Sequence, residues 1–190
     1  YCAYFPAARQ DRVVNAGEAF GLRVYADMIR SMGFKKIITN DLHSDVLLGM
    51  MPPGLIEDKK QHDLWCSEGF YGKFCIVAPD AGAAKKAQKL ADKLGVECYV
   101  ASKQRKADGN VEVVFTHDLS SYSDVYVVDD ICDGGATFIA LAEAISRNHS
   151  DGVAFRLHLR VTHGIFSKGK DELYRWYSTI KAVNNMEKQQ

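Results

Sequence analysis

Residues 127–137 read Val-Val-Asp-Asp-Ile-Cys-Asp-Gly-Gly-Ala-Thr. An apolar run ends in two adjacent carboxylates, Asp129 and Asp130, and then turns through Asp133, Gly134, Gly135, Ala136 and Thr137 into an apolar, helix-like segment. Small residues let backbone approach a phosphate closely, and the N-terminus of a following helix adds its dipole and free N–H groups. Adjacent acids at a strand end can hold the hydroxyl groups of a sugar, or water on a metal. The plainer alternative is a strand–turn–helix with Asp133 as the helix cap. Two consecutive acids directly after a buried strand favour the phosphate-loop reading.

The elements that must position this loop show as alternating patterns. Lys35–Asn40, Lys73–Ala78, Val96–Val100, Val111–Phe115, Asp124–Val128 and Val153–Val161 are short apolar runs of strand length. Between them, Phe20, Val24, Met28 and Met32 give one apolar helical stripe. Ala83, Ala87, Leu90, Ala91 and Leu94 mark a helix over Ala81–Leu94, and Phe138, Leu141, Ala142 and Ile145 mark a third. Asp171–Tyr177 is a fourth candidate, and an apparent strand lies near Ile180. Strand and helix in alternation predict an α/β fold with a mostly parallel sheet flanked by helices. Ligands in such folds sit beyond the carboxyl ends of the strands. Gln104–Asn110 is the most polar segment and is expected to be a mobile loop. Lys85, Lys86, Lys89 and Lys93 are expected to form a solvated basic face. In Val153–Val161, Arg156, His158 and Arg160 alternate with apolar residues, which predicts a wet or interface-facing side.

The chain has 190 residues, with 24 Lys+Arg against 24 Asp+Glu, 47% hydrophobic and 25% charged residues. That composition is globular rather than disordered. Zero formal net charge argues against a nonspecific nucleic-acid binder. No stretch approaches the roughly 20 apolar residues of a membrane span. Five cysteines without a C-x-x-C pair point to reduced thiols in a cytoplasmic protein rather than a disulfide framework or zinc site.

The 127–137 segment resembles the phosphoribosyl-diphosphate motif of type I phosphoribosyltransferases and of ribose-phosphate diphosphokinases. Further segments, in consistent order from about Tyr1 to about Val183, resemble the diphosphokinase family specifically. Tyr4–Arg12 (YFPAARQDR) is similar to its nucleotide-binding segment, and Asp41-Leu42-His43 to its Asp-Leu-His. Pro79–Lys85 (PDAGAAK) is similar to its Pro-Asp-Ala-Gly-Gly-Ala-Lys, Lys103-Gln104-Arg105 to its catalytic flexible loop, and Thr162–Phe166 (THGIF) to a late segment. The resemblance implies a phosphoribosyltransferase-like fold of two similar domains. It implies transfer of the diphosphoryl group of ATP to the anomeric hydroxyl of ribose 5-phosphate, with release of AMP, for nucleotide biosynthesis. It assigns Arg9, Gln10, Asp11, Arg12 and His43 to ATP, and His43 and Asp80 to Mg²⁺. Asp129 and Asp130 go to the ribose hydroxyls, Asp133 to Thr137 to the 5-phosphate, and Lys103 and Arg105 to the transition state. The partners implied are the two substrates and a homo-oligomer with sites at subunit interfaces, with neither nucleic acid nor membrane.

Two departures carry consequences. Gly134 and Ala136 replace a Thr and a Gly of the family's turn, so one hydroxyl donor to phosphate is absent. Family members are also considerably longer. The expectation is a fragment lacking the N-terminal part and the extreme C-terminus. Its expected division is the end of a first domain (1–54), a second domain with the phosphate loop (55–164), and a C-terminal segment (165–190) returning to the first or completing the second. The competing functions are a phosphoribosyltransferase, which shares only the 129–137 loop, and a non-catalytic regulator that associates with a diphosphokinase.

Overall fold

The computed structural model describes residues 1–105, 111–149 and 155–187. The chain forms two compact units, Tyr1–Gln61 and His62–Gln190.

In the first unit, helix α1 (Gly21–Ser31) precedes strand β1 (Ile37–Asn40), short helix α2 (Val46–Met50) and strand β2 (Ile56–Lys59). β1 and β2 pair in parallel, Ile37 opposite Ile56 and Asn40 opposite Lys59. The core gathers Phe5, Ala8, Leu22, Ala26, Leu42, Leu47 and Met51. α1 faces it with Leu22 and Ala26, whereas Val24 is 64% exposed and Met28 and Met32 are also exposed. Of the expected stripe, Phe20 packs against this core while Val24, Met28 and Met32 form an outward face. Leu22, Ala26 and Ile29 form a competing i, i+4, i+7 stripe almost opposite it, and α1 is apolar on both sides.

The second unit runs α3 (Gln61–Trp65), β3 (Phe74–Ala78), α4 (Ala81–Leu94), β4 (Cys98–Val100), β5 (Ser102–Arg105), β6 (Val111–Val114), β7 (Asp124–Cys132), α5 (Ala136–Asn148), β8 (Arg156–Gly164), α6 (Asp171–Tyr174) and β9 (Thr179–Asn185). Its five-stranded sheet has the order β4-β3-β7-β8-β9, parallel throughout. On one face, Val125, Val127, Leu157, Leu159 and Val161 pack against Phe138, Leu141, Ala142 and Ile145 of α5. On the other, Ile76, Ala78, Tyr126 and Val128 pack against Ala83, Ala87, Leu90 and Ala91 of α4. Period-2 alternation along each strand divides the two cores.

α4 occupies the expected residues. Asp80 caps its start through Gly82 and Ala83, and Gly95, at φ 67°, ends it in the left-handed conformation. The chain divides at Gln61–His62 rather than near residue 54, and β9 pairs with β8 and completes the second unit's sheet.

Three further differences bear on the site. Lys103-Gln104-Arg105 lies in a strand, because Ser102–Arg105 pairs antiparallel with Val111–Val114. A polar hairpin arm carries no hydrophobic signal of its own. The rest of the expected mobile loop, residues 106–110, lies outside the described residues.

β7 continues through Cys132 because β8 supplies a ladder partner as far as Gly164. Asp129 and Asp130 therefore sit within the strand's last turn rather than in the loop after it.

β8 is also no edge or wet strand. It runs between β7 and β9, and beyond the exposed Arg156 its polar side is covered, with His158 6% and Arg160 2% exposed. Arg160 lies over the rings of Trp65 and Tyr126, at 5.7 and 5.4 Å from their centroids, and its Nε and Nη1 have no hydrogen-bond partner among the described residues. Residues 153 and 154 of the expected strand lie outside the described residues.

Candidate functional site

In the second unit the site lies at the carboxyl ends of β3 and β7. The β7–β8 ladder holds Asp129 opposite Val161 and Ile131 opposite His163, which fixes the backbone of the acid pair. The Asp130 N–H donates to Asp129 Oδ1 at 2.8 Å. Asp130 is 6% exposed, and Lys86 of α4 brings its ammonium to 3.5 Å from Asp130 Oδ2. Lys86 therefore leaves the expected solvated face, since a nearly buried carboxylate needs a cation or donors close by. Lys93 pairs with Asp63. Burial, and then the charge of Asp130, push the Asp129 carboxyl well above the ordinary range, with Asp80 adding to the effect. The sheet end thus favours a proton on one acid of the pair.

The turn into α5 depends on Gly135. It sits at φ 79° as the N-cap residue, and an added Cβ would meet Leu173 side-chain carbons at 3.2–3.4 Å. Only glycine takes this position without strain. Asp133 is consequently not the cap of α5. Gly134 is different, because an added Cβ there meets only the Lys168 stem at ordinary contact distance, 3.5 Å and beyond. Ala136 and Thr137 open α5, a 13-residue helix. The five consecutive turn residues, Asp133 to Thr137, stand at the start of this helix, a position suited to an anion.

Beside this turn, Asp80 ends β3 and starts α4. Its Oδ1 accepts N–H groups of Gly82 and Ala83 at 2.9 and 3.2 Å, and its Oδ2 takes the Lys103 ammonium at 2.6 Å. Burial opposes its charge, but Lys103 and the two N–H groups outweigh burial, and the carboxyl titrates below the ordinary range. Asp80 is thus a carboxylate already bearing a cation, which is the chemistry a hard divalent ion asks of a ligand. Among the described residues, no three His, Cys, Asp or Glu side chains are grouped to hold a metal by themselves. Arg105 pairs in register with Val111, and its side chain lies outside the described residues.

In the first unit, Asp11 is 5% exposed and accepts from Arg12 Nε at 3.1 Å. Burial opposes its ionisation, but Ser44, Arg12 and His43 together hold it below the ordinary range. The Tyr4–Arg12 segment and the Asp-Leu-His turn, distant in sequence, therefore meet at Asp11. Gln10 lies against Gly21, where an added Cβ would fall 2.0 Å from Gln10 Oε1, so a larger residue at the helix start would displace the Gln10 side chain. Arg9, Gln10 and Arg12 are exposed, and His43 is half-buried. Asp41 takes φ 45°, braced by Gln61 Nε2 at 3.1 Å, while the Leu42 N–H donates to Asp58 Oδ1 at 3.1 Å.

Lys86, Gln61 and Asp58 are the site residues missed by sequence reasoning. For Lys86 a signal exists, since it lies six residues past the α4 cap, on a helix packed against the strand that carries Asp130. Gln61 and Asp58 depend on β2, whose alternating Ile-Glu-Asp-Lys is too short and polar to be seen.

This parallel sheet with helices on both faces, and a strand–turn–helix phosphate loop at its carboxyl end, defines an α/β fold of the phosphoribosyltransferase-like class. A phosphoribosylpyrophosphate synthetase from Mycobacterium smegmatis has the same fold. It superposes with a TM-score of 0.74 at 24% identity, over 92% of this chain and 56% of that one. In sequence the chain resembles ribose-phosphate pyrophosphokinases, the synonym of the diphosphokinase family. It is 30% identical over 174 residues to that of Mycoplasmopsis pulmonis, covering 89% of this chain and 52% of the relative. It is 28% identical over 169 residues to that of Granulibacter bethesdensis, covering 87% and 53%. The chain spans about half the length of the curated relatives it matches. No family model matches it.

Proposed function

We propose that this chain carries the ribose-phosphate half, and part of the nucleotide half, of a ribose-phosphate pyrophosphokinase. The reaction is transfer of the diphosphoryl group of ATP to the anomeric hydroxyl of ribose 5-phosphate, with AMP as the second product. The observation that carries this reading is the convergence of Asp80, Lys103 and the Asp129–Asp130 pair at one sheet end, beside the turn that opens α5. A phosphoribosyltransferase needs only the turn and its acids. The Asp80–Lys103 pair belongs to the diphosphokinase pattern.

In this reading Asp129 and Asp130 bind the ribose hydroxyls. The protonated acid can donate and the ionised one accept, so a diol is met by both kinds of partner. The backbone of Asp133–Thr137 and the start of α5 hold the 5-phosphate. Arg9, Gln10, Asp11, Arg12 and His43 are assigned to the nucleotide within the first unit. Mg²⁺ bound with ATP would draw on the Asp80 carboxylate and supply charge neutralisation on the phosphates. Lys103, and Arg105 with it, would stabilise charge on the transferring group, a task of positioning and electrostatics. A cytoplasmic homo-oligomer serving nucleotide biosynthesis completes the proposal. Among the described residues, no helix is long and apolar enough to cross a membrane.

The test is AMP release from ATP that depends on ribose 5-phosphate, measured with the full-length gene product. Consumption of phosphoribosyl diphosphate on addition of a nucleobase, without AMP release, would assign a phosphoribosyltransferase. Neither activity, with association to an active pyrophosphokinase, would assign a regulator.

A further inference from the structure

Lys103 and Asp80 enter the functional reading in different roles, one acting on the transferring group and the other on the metal. In the structure they hold each other. Lys103 Nζ stands 2.6 Å from Asp80 Oδ2, while Asp80 Oδ1 is committed to the α4 cap through Gly82 and Ala83. One oxygen of Asp80 is therefore structural, and the other is the one available to a cation. Both side chains reach solvent, with Lys103 40% and Asp80 30% exposed, so the pair can be opened without unpacking a core. Lys103 stands on the β5 arm of the β5–β6 hairpin, whereas Asp80 is fixed at the junction of β3 and α4.

We propose that Asp80 Oδ2 is a single exchangeable cation position, filled by the Lys103 ammonium in the free chain and taken over by a divalent cation on loading. The exchange is what releases Lys103 for the transferring group. This rests on the reading that Asp80 meets the nucleotide's magnesium. An ammonium and a divalent cation held against one carboxylate oxygen repel each other strongly, so binding of the metal loosens the hold on Lys103. The order of events follows. Lys103 is kept off the phosphates until the metal is in place. The helix cap stays intact throughout, because it uses the other oxygen.

The experiment measures Mn²⁺ binding to the nucleotide-free chain by electron paramagnetic resonance, for the native protein, Lys103→Met, Lys103→Arg and Asp80→Asn. Lys103→Met removes the competitor and is expected to bind Mn²⁺ about fivefold more tightly, the scale of an exposed ion pair. Lys103→Arg restores a cation and returns the affinity towards native, and Asp80→Asn weakens it. In parallel, acylation of Lys103 by an amine reagent is followed by mass spectrometry. Mn²⁺ is expected to accelerate labelling severalfold in the native chain and to leave it unchanged in Asp80→Asn, where Lys103 is already free. Equal Mn²⁺ affinity in Lys103→Met and native protein, or labelling insensitive to Mn²⁺, overturns the proposal. The AMP-release assay separates the two readings. AMP release with unchanged Mn²⁺ affinity removes the exchange alone. Tighter Mn²⁺ binding in Lys103→Met, with no AMP release from the native full-length protein, removes the assigned reaction alone.

Discussion

Asp124, at the opposite end of β7 from the acid pair, is fully buried and gathers three partners. Arg156 donates from Nε and Nη2 at 2.9 and 3.0 Å, Ser123 Oγ at 2.7 Å, and His158 Nε2 lies at 2.8 Å. Burial opposes its charge, but the Arg156, His158 and Ser123 hydrogen bonds outweigh burial and hold the carboxyl down at about 2, against the ordinary 3.8. At about 1.4 kcal/mol per pH unit that gap corresponds to about 2.5 kcal/mol. The Arg156 side chain is 62% exposed, so its share is screened. An Asp124–Arg156 coupling of about 1 kcal/mol is expected. The sign follows from the direction of the shift. The unfolded chain takes up the proton near 3.8 and the folded chain only near 2, so the contribution is complete above about pH 5 and is lost as pH falls through that window. The assay is urea unfolding of the native chain, Asp124→Asn, Arg156→Met and the double variant, followed by tryptophan fluorescence. Both tryptophans, Trp65 and Trp176, lie in the second unit, so the signal reports that unit alone. A double-mutant cycle cancels the His158 and Ser123 contributions common to its arms. A coupling energy below about 0.3 kcal/mol at pH 7, or one that has already vanished at pH 4.5, would refute the reasoning.

Four further outcomes are expected. Gly135→Ala, forced into φ 79° and against Leu173, should destabilise the second unit by about 1–3 kcal/mol, read by the same fluorescence unfolding. Arg160→Met should leave stability unchanged or raise it by about 1 kcal/mol, because it removes two buried unpaired donors at the expense of two ring contacts. Gly134→Thr should be tolerated and should tighten ribose 5-phosphate binding severalfold in a calorimetric titration, since the position has room for a side chain and the hydroxyl adds a donor. Lys103→Ala should lower kcat by about 100-fold or more while the ribose 5-phosphate dissociation constant moves little; equal losses in both would argue against a transition-state role.

What could be read in the sequence was whatever a single element declares by itself. α4 is legible at both ends because its apolar positions, its Asp80 cap and Gly95 agree. The turn after β7 is legible because its chemistry is local. α1 was legible as a helix but not in orientation, since two apolar stripes compete and only the first unit's core selects Leu22 and Ala26. The β5 arm was illegible because a polar strand is made by its partner, here β6. His158 and Arg160 read as wet or interface-facing, yet Trp65 and Tyr126 lie against them, which the local alternation does not encode. Within the site, residue types were visible, while pairings such as Lys86 with Asp130 and Lys103 with Asp80 required the fold.

The β7–β8 ladder runs on past Asp129 and Asp130 to Cys132 and Gly164. The backbone amides of this stretch are therefore woven into the same cooperative unit as the sheet, and their hydrogen exchange should proceed at the slow rate set by opening of that unit. An acid pair so placed has no separate loop to order when a sugar arrives, so binding there should carry little loss of backbone entropy. By the same token a substitution that loosens the centre of the sheet will be felt at the carboxylates as a change in where they stand, even when no contact near them has been touched.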